Sequence, residues 1–238
     1  MRTEERCLGI DGEEVAAVVH RPDAAPERAV VFAHGFGSDK AGSYERRATM
    51  AAEEGFLAIR FDFRGNNESS REFHEATLST RIADLRRVVD EVEDLAVGVY
   101  GSSFGGLVAL HAAARDERID ALALRAPVTF LSVLDDIRST IEEDGRYEQL
   151  PGKWVDDRFL DDLDGYSTEA IVEDIAVPTL IMHGGEDDVV DPGSSRRFFD
   201  ALSCEKEYVM FDGEGHRFGD AADDEAVRRA LSWFDARM

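Results

Sequence analysis

The sequence predicts an α/β protein in which a mostly parallel, twisted sheet is covered by helices on both faces. Short apolar runs of strand length alternate along the chain with stretches whose apolar residues recur every three or four positions. The length of 238 residues suits one domain, residues 1–238, and is enough to bury a large core.

The individual elements follow from local pattern. Strands are expected where short runs rich in β-branched and aromatic residues end at glycines or polar turns. The predicted strands are Glu14–His20, Arg28–Ala33, Leu57–Phe61, Val97–Tyr100, Ala121–Leu124, Val177–Met182 and Tyr208–Phe211. Helices are expected where apolar residues form a stripe, and at the small-residue run after the fourth strand. The predicted helices are Tyr44–Glu54, Leu78–Leu95, Phe104–Ala114, Ser194–Leu202 and a last helix carrying Val227, Ala230, Leu231 and Phe234.

One long segment interrupts the alternation. Phe130–Ile175 shows no clear strand and carries 14 acidic against four basic residues, a charge of −10. A structureless loop of this length is uncommon in a compact domain, so we predict two or three short amphipathic helices. We expect residues 128–176 to form a helical cap insertion over the C-terminal edge of the sheet. A solvated excursion without a substrate role is the alternative.

The charge balance is strongly acidic, with 51 Asp and Glu against 27 Lys and Arg and a net charge of −24. This balance disfavours nucleic acid or an anionic membrane as a partner. Only Lys40, Lys153 and Lys206 are lysines. An acidic, lysine-poor surface predicts a halophilic protein, because a Debye length of ~3 Å near 1 M salt screens self-repulsion. An ordinary acidic protein is the alternative.

Other sequence features exclude several classes of protein. No run approaches 18 uninterrupted apolar residues, so no membrane span is predicted. The first six residues lack the apolar region of a signal peptide, and we expect a cytoplasmic location. Two cysteines, with no Cys/His cluster, predict neither a disulfide framework nor a metal site.

The strongest chemical signal is the run from Gly101 to Gly106, between a predicted strand and a predicted helix. It has the G-x-S-x-G pattern of a nucleophilic serine on a sharp strand-to-helix turn. The residues two before and two after the nucleophile must be small. This condition selects Ser103 and rejects Ser102, whose corresponding neighbours are aromatic. A purely structural Gly/Ser turn is the alternative.

A serine nucleophile needs a base, for which His216 is the best candidate. It lies in a glycine-containing loop after the last predicted strand. His183, at the end of a strand, is a rival that we expect to make a structural hydrogen bond. His20 and His111 lie within predicted elements and are expected to be packed, whereas His74 has no supporting pattern.

The base needs an acid, which the loop after the Val177–Met182 strand provides. We select Asp187, with Asp188 and Glu186 as alternatives in the same acidic turn. The order Ser103, Asp187, His216 is that of one well-known class of serine hydrolases. An oxyanion hole is also required. Its donors are expected to be the backbone N–H groups of Phe104 and Phe36, with a structural glycine turn around Phe36 as the alternative.

The sequence resembles the α/β-hydrolase superfamily over nearly its whole length, and within it the cinnamoyl/feruloyl esterase-like branch. The finer resemblance rests on several short motifs. They are His34-Gly35-Phe36 with Ser38, Arg60-Phe61-Asp62-Phe63-Arg64-Gly65 with Glu68-Ser69, Phe73, Thr77-Leu78 and Ala126-Pro127, with a cap of similar size.

The resemblance implies the α/β-hydrolase fold, catalytic roles for Ser103, Asp187 and His216, and a cap that helps form the acyl pocket. Two departures concern the substrate. Ser102 and Phe104 flank the nucleophile where the family commonly has His and Gln, and the cap is far more acidic. We expect Asp62 and Arg64 to be structural, as a local ion pair and turn.

Together these features predict a serine esterase that cleaves small carboxylic esters through an acyl-enzyme intermediate. The expected partner is a small-molecule ester, and neither a metal nor an organic cofactor is expected. A peptidase, amidase or thioesterase of the same fold is the first alternative. A non-catalytic ligand-binding protein on this fold is the alternative from another class, because a fold does not determine a function.

Overall fold

The computed structural model describes all residues from 1 to 238, which form ten strands and eight α-helices. The strands are β1 (Arg2–Ile10), β2 (Glu13–Arg21), β3 (Arg28–Ala33), β4 (Leu57–Phe61), β5 (Ala96–Ser102), β6 (Ile119–Arg125), β7 (Tyr147–Leu150), β8 (Lys153–Val155), β9 (Thr179–Gly184) and β10 (Lys206–Phe211). The helices are α1 (Ser43–Glu53), α2 (Leu78–Asp90), α3 (Phe104–Ala113), α4 (Asp135–Asp144), α5 (Asp157–Leu163), α6 (Thr168–Ile171), α7 (Pro192–Ala201) and α8 (Asp220–Arg237). Short 3-10 helices cover Phe73–Glu75, Leu131–Leu134 and Val172–Asp174.

Eight strands form one mixed sheet in the order β1-β2-β4-β3-β5-β6-β9-β10. Six neighbouring strands of this sheet are parallel to one another: β4, β3, β5, β6, β9 and β10. Strand β2 pairs antiparallel with β4 and with β1. The predicted α/β fold with a mostly parallel sheet is therefore confirmed. All seven predicted strands are present, with ends within two residues of the prediction.

Strand β1 was not predicted. Its nine residues are mostly polar and exposed, and only Leu8 is buried. Backbone pairing with β2 holds this edge strand in place, so its side chains do not carry the apolar alternation from which a strand is predicted.

Two apolar layers sandwich the sheet. One contains α2, α3 and α7, and the other contains α1 and α8. Alternation along β5 shows how both form, because Val97 and Val99 enter the first layer while Tyr100 enters the second. Burial on both faces fixes the position of β5, and with it the turn that follows this strand.

The segment between β6 and β9 contains α4, α5 and α6, but also the antiparallel hairpin β7–β8. The expectation that Phe130–Ile175 lacks strands is therefore wrong. The two strands are four and three residues long, which is too short for a period-two pattern to be detected. Lys153 Nζ donates to the Gly37 carbonyl at 2.8 Å, which joins this hairpin to the loop after β3.

The expected ion pair between Asp62 and Arg64 is also wrong. Asp62 Oδ2 lies 2.7 Å from Lys40 Nζ, whereas Arg64 Nε lies 2.6 Å from Asp84 Oδ1. Both carboxylates are fully buried, and each pairs with a cation from a different loop, Lys40 after β3 and Arg64 after β4. The proximity of Asp62 and Arg64 in the sequence therefore did not identify the partner of either charge.

None of the helices combines the length and hydrophobicity that crossing a bilayer requires.

Candidate active site

Ser103 lies at the turn between β5 and α3 in a conformation that non-glycine residues rarely adopt, with φ 54° and ψ −121°. Gly101 and Gly105 permit this turn. A Cβ atom on Gly101 would lie 2.8 Å from the Gly105 carbonyl oxygen, and one on Gly105 would lie 2.3 Å from the Ala33 carbonyl oxygen. Strain of this kind persists only where the surrounding structure enforces it, and it is concentrated at functional sites.

The structure brings Ser103, His216 and Asp187 together. Ser103 Oγ lies 3.0 Å from His216 Nε2, and His216 Nδ1 lies 2.8 Å from Asp187 Oδ2. His216 stands in the loop between β10 and α8, and Asp187 in the loop after β9. Ser102 is the last residue of β5, and its buried hydroxyl contacts neither His216 nor any other partner. The serine, the histidine and the acid therefore form one continuous hydrogen-bonded chain.

The Asp187 carboxylate is fixed from several directions. Its Oδ1 atom accepts from the backbone N–H groups of Val189 and Val190, both at 2.9 Å. Burial alone would raise the pKa of Asp187, but hydrogen bonds from His183, His216 and the Val190 N–H lower it well below the usual range. The group is therefore an anion at neutral pH and can stabilise a protonated His216. Asp188 and Glu186, the alternative acids, are exposed to solvent.

His183 makes the structural hydrogen bond that the sequence led us to expect. Its Nε2 atom lies 3.0 Å from Asp187 Oδ2 and 3.0 Å from the Val190 carbonyl oxygen. Both partners are acceptors, so Nε2 carries the proton and donates. His20 and His111 are buried, as expected, and His74 stacks on Trp154 with ring centroids 4.1 Å apart.

The two expected oxyanion donors adjoin Ser103. Phe104 is the first residue of α3, so its N–H has no acceptor within the helix. The Phe36 N–H makes no hydrogen bond within the protein. The loop that carries Phe36 passes close to the serine, because a Cβ atom on Gly35 would lie 3.3 Å from Ser103 Cβ. Neither N–H group is thus engaged by an acceptor within the protein.

Ser103 opens into a cleft of about 1060 Å³. One side is apolar, with the rings of Phe36 and Phe104 5.1 Å apart and Phe159 of α5 at 5.4 Å from Phe36. The 128–176 segment contributes further apolar residues to this side. They are Val128, Val133, Leu134, Ile137 and Tyr147.

Two features near the site were not predicted from the sequence. Arg81 is fully buried within about 5.6 Å of the rings of Phe36, Phe63, Phe73 and Phe104. A cluster of arginines around Asp223 lines another part of the cleft. The members of both sets lie far apart in the sequence, and no local motif marks them.

No three His, Cys, Asp or Glu side chains are grouped as metal ligands would be.

The fold and this arrangement define the protein as an α/β-hydrolase, with a serine after β5 followed along the chain by an acid and a histidine. Residues 42–238 match the prolyl oligopeptidase family, and the chain belongs to that family. The protein is therefore a hydrolase.

Curated relatives of the chain include a mitochondrial palmitoyl-protein thioesterase, ABHD10, of Homo sapiens. The two are 27% identical over 214 residues, which cover 82% of this chain and 68% of the relative. The 2,6-dihydropseudooxynicotine hydrolase of Paenarthrobacter nicotinovorans is 26% identical over 193 residues, covering 78% of this chain and 52% of that one.

Solved structures share the fold over nearly the whole chain. Est1E of Butyrivibrio proteoclasticus with bound ferulic acid superposes with a TM-score of 0.86, at 20% identity and 98% coverage of both chains. A puromycin-hydrolysing peptidase of Mycobacterium tuberculosis has a TM-score of 0.78 at 21% identity, covering 99% of this chain and 39% of that one. These likenesses confirm the α/β-hydrolase fold predicted from the sequence.

Proposed function

We propose that the protein is a serine hydrolase that cleaves small carboxylic esters through an acyl-enzyme intermediate. The observation that carries the proposal is the pair of contacts of His216, 3.0 Å to Ser103 Oγ and 2.8 Å to Asp187 Oδ2. A serine hydroxyl becomes an effective nucleophile when a base accepts its proton, and this base is held by a buried carboxylate.

In the first step, Ser103 Oγ attacks the ester carbonyl carbon while His216 Nε2 takes the hydroxyl proton. Asp187 accepts a hydrogen bond from His216 Nδ1 and stabilises the imidazolium that forms. The carbonyl electron pair moves to the oxygen, which becomes an oxyanion held by the N–H groups of Phe36 and Phe104. The tetrahedral intermediate collapses, the C–O bond to the alcohol breaks, and His216 gives its proton to the leaving alkoxide.

In the second step, water attacks the acyl-enzyme. His216 Nε2 takes a proton from the water as its oxygen bonds to the acyl carbon, and a second oxyanion occupies the same N–H pair. Collapse expels Ser103 Oγ, which regains its proton from His216, and the carboxylic acid is released. No other group is needed to balance these two steps.

The acyl group is proposed to lie against the apolar side of the cleft. Phe36, Phe104 and Phe159 form a continuous aromatic surface beside Ser103. The 128–176 segment adds four aliphatic side chains, so it acts as a cap over the acyl pocket. This surface favours small aliphatic or aromatic acyl groups. Est1E, whose structure contains ferulic acid, has the same fold and supports an aromatic acyl group.

Two other acyl-transfer activities have specific support. The similarity to palmitoyl-protein thioesterases supports a thioester substrate, for which the same steps apply with a thiolate as leaving group. The family match supports an amide or peptide substrate. We rank the ester first because the cleft is lined with apolar side chains beside Ser103.

Hydrolysis of a short substrate panel tests the proposal. The panel contains p-nitrophenyl acetate, butyrate and octanoate, methyl ferulate, a butyryl thioester and an amino-acid p-nitroanilide, assayed in potassium chloride solution. Ester turnover should disappear in Ser103→Ala and persist in the matched control Ser102→Ala, because only Ser103 contacts His216. If kcat/KM is higher for the thioester or the anilide, that compound and not the ester represents the substrate class of the enzyme.

A fluorophosphonate probe separates the enzyme from a binding protein on this fold. The probe should label the wild type and the Ser102→Ala variant, but not Ser103→Ala. A folded protein that is neither labelled nor active on the panel would establish the non-catalytic alternative.

The identity of the acid is tested by two variants. Asp187→Asn should lower kcat sharply, whereas Asp188→Asn should not.

A further inference from the structure

The cleft contains a charged part that the proposed mechanism does not use. Four arginine residues line it, and we call this set the arginine lobe: Arg46, Arg47, Arg125 and Arg217. Arg46 and Arg47 belong to α1, Arg125 ends β6, and Arg217 follows His216. A concentration of guanidinium groups in one cleft is unexpected in a protein whose net charge is −24.

The carboxylates that pair with the arginine lobe are fewer than its guanidinium groups. Arg46 pairs with Asp220, Asp223 and Asp224 at 3.3, 2.9 and 3.0 Å. Asp223 also pairs with Arg47 at 2.6 Å and with Arg125 at 3.9 Å. Arg217 forms no ion pair within the protein. Four guanidinium groups therefore face three carboxylates, and Asp220 is almost fully exposed to solvent. The two other carboxylates of the cleft, Asp136 and Asp188, are also exposed.

Three buried donors of the lobe have no hydrogen-bond acceptor. They are Nε of Arg46, Nη1 of Arg47 and Nε of Arg125. Arg47 is only 3% exposed, so solvent has little access to its guanidinium group. A buried N–H group without an acceptor costs free energy, and the cost is larger when the group is charged. The guanidinium groups of the lobe therefore have more donors than the acceptors that the protein offers them.

The lobe is directly connected to the proposed triad. Arg125 Nη1 donates to the His216 carbonyl oxygen at 3.0 Å, and the Ser103 N–H donates to the Arg125 carbonyl oxygen at 3.0 Å. Burial by itself would raise the pKa of Asp223, but Arg47 and its neighbours lower it. The ion-pair network thus keeps its charges throughout the neutral range.

We propose that the arginine lobe binds a carboxylate carried by the leaving-group half of the substrate. The inference rests on the proposed function, in which the aromatic surface receives the acyl half and leaves the arginine lobe for the alcohol. The substrate class is then an ester whose alcohol bears a carboxylate. The long-range field of the protein repels such an anion, so its recognition depends on these short-range contacts.

Two esters with the same acyl group test the proposal. Phenyl butyrate and 3-(butyryloxy)benzoate release phenols of similar acidity, and only the second bears a carboxylate. At one fixed salt concentration, we expect kcat/KM of the wild type to be about tenfold higher for the anionic ester, as for a charge-assisted hydrogen bond. Arg47→Gln and Arg217→Gln should reduce this ratio. Arg228→Gln, an exposed arginine of α8 outside the cleft, should leave it unchanged.

Equilibrium binding keeps the proposal testable without turnover. Calorimetry on Ser103→Ala should show tighter binding of 3-hydroxybenzoate than of phenol, with the difference reduced by adding Arg217→Gln. This measurement stands if the ester proposal fails or if Arg47→Gln does not fold. The inference is overturned if kcat/KM is equal for the two esters and the two ligands bind equally. The assignment to the leaving group is overturned if the arginines favour p-nitrophenyl hemisuccinate over p-nitrophenyl butyrate, because the hemisuccinate carries its carboxylate on the acyl half.

Discussion

His183 and Asp187 are joined by a fully buried hydrogen bond, in which Nε2 lies 3.0 Å from Oδ2. The same carboxylate oxygen lies 2.8 Å from His216 Nδ1. One oxygen of the proposed catalytic acid is therefore shared by two histidines, and only His216 contacts Ser103. His183 holds the carboxylate in the position from which it orients His216.

Replacing His183 should impair catalysis without removing any group of the proposed triad. In His183→Phe, Asp187 Oδ2 loses a buried donor, so we expect kcat to fall about 10- to 100-fold with little change in KM. Steady-state kinetics on p-nitrophenyl butyrate measures both constants. His20→Phe, at a second buried histidine of the sheet, serves as the control. An unchanged kcat in His183→Phe would exclude the positioning role.

Gly105→Ala should destabilise the protein by about 2 kcal/mol or more, because the new methyl group has no space. Its Cβ atom would lie 2.3 Å from the Ala33 carbonyl oxygen, which belongs to the adjoining β3 backbone and cannot move aside cheaply. Urea unfolding gives the change in free energy. Gly9→Ala is the matched control, since no atom lies within 4 Å of a Cβ atom there. Similar losses in both variants would contradict the steric explanation.

Arg81→Met should lower kcat while sparing stability. Burial lowers the pKa of Arg81 to about 10, so the side chain stays cationic at neutral pH, yet it has no ion pair within the protein. Its charge lies against the rings of Phe36 and Phe104, whose N–H groups are the proposed oxyanion donors. We expect kcat to fall by about tenfold, which is on the order of one charge-assisted interaction.

Arg64→Met is the contrasting control for that prediction. Arg64 pairs with the fully buried carboxylate of Asp84 at 2.6 Å, so its removal leaves an uncompensated charge. We expect a loss of about 3–5 kcal/mol of unfolding free energy in this variant. If Arg81→Met is the more destabilising of the two, or leaves kcat unchanged, Arg81 has only a structural role.

His111 should make stability fall as the pH is lowered from about 6.5 to about 4. Burial lowers the pKa of this histidine to about 4, with a further contribution from Arg115, whereas the unfolded chain titrates near 6.5. Between these values the unfolded state binds the extra proton, so acid favours unfolding. The full effect is roughly 3 kcal/mol. Unfolding free energies at several pH values should show a shallower decline in His111→Gln than in the wild type.

Salt should stabilise the folded protein. With a net charge of −24, self-repulsion opposes the compact state, and the Debye length shrinks from ~10 Å at 0.1 M to ~3 Å at 1 M. We expect the melting temperature to rise between 0.1 and 1 M potassium chloride. A flat salt series would contradict adaptation to high salt.

Much of the fold and the candidate site could be predicted because both depend on local sequence. The strand-to-helix turn at Ser103 requires small residues on both sides, and this requirement is written in consecutive positions. Likewise, the glycine-rich loops that carry Phe36 and His216 follow predicted strands. The β1 strand and the β7–β8 hairpin could not be predicted, because backbone pairing rather than an apolar pattern defines them.

The sequence by itself determined the α/β class of the protein and seven of its strands, and it pointed to the serine, acid and histidine proposed for catalysis. Only the tertiary structure decided which charges meet. Asp187 is shared by His183 and His216, Asp223 gathers arginines from α1 and β6, and Arg81 lies among four phenylalanines. Periodicity and turn chemistry act over a few residues, whereas ion pairs depend on distances that exist only once the sheet has assembled.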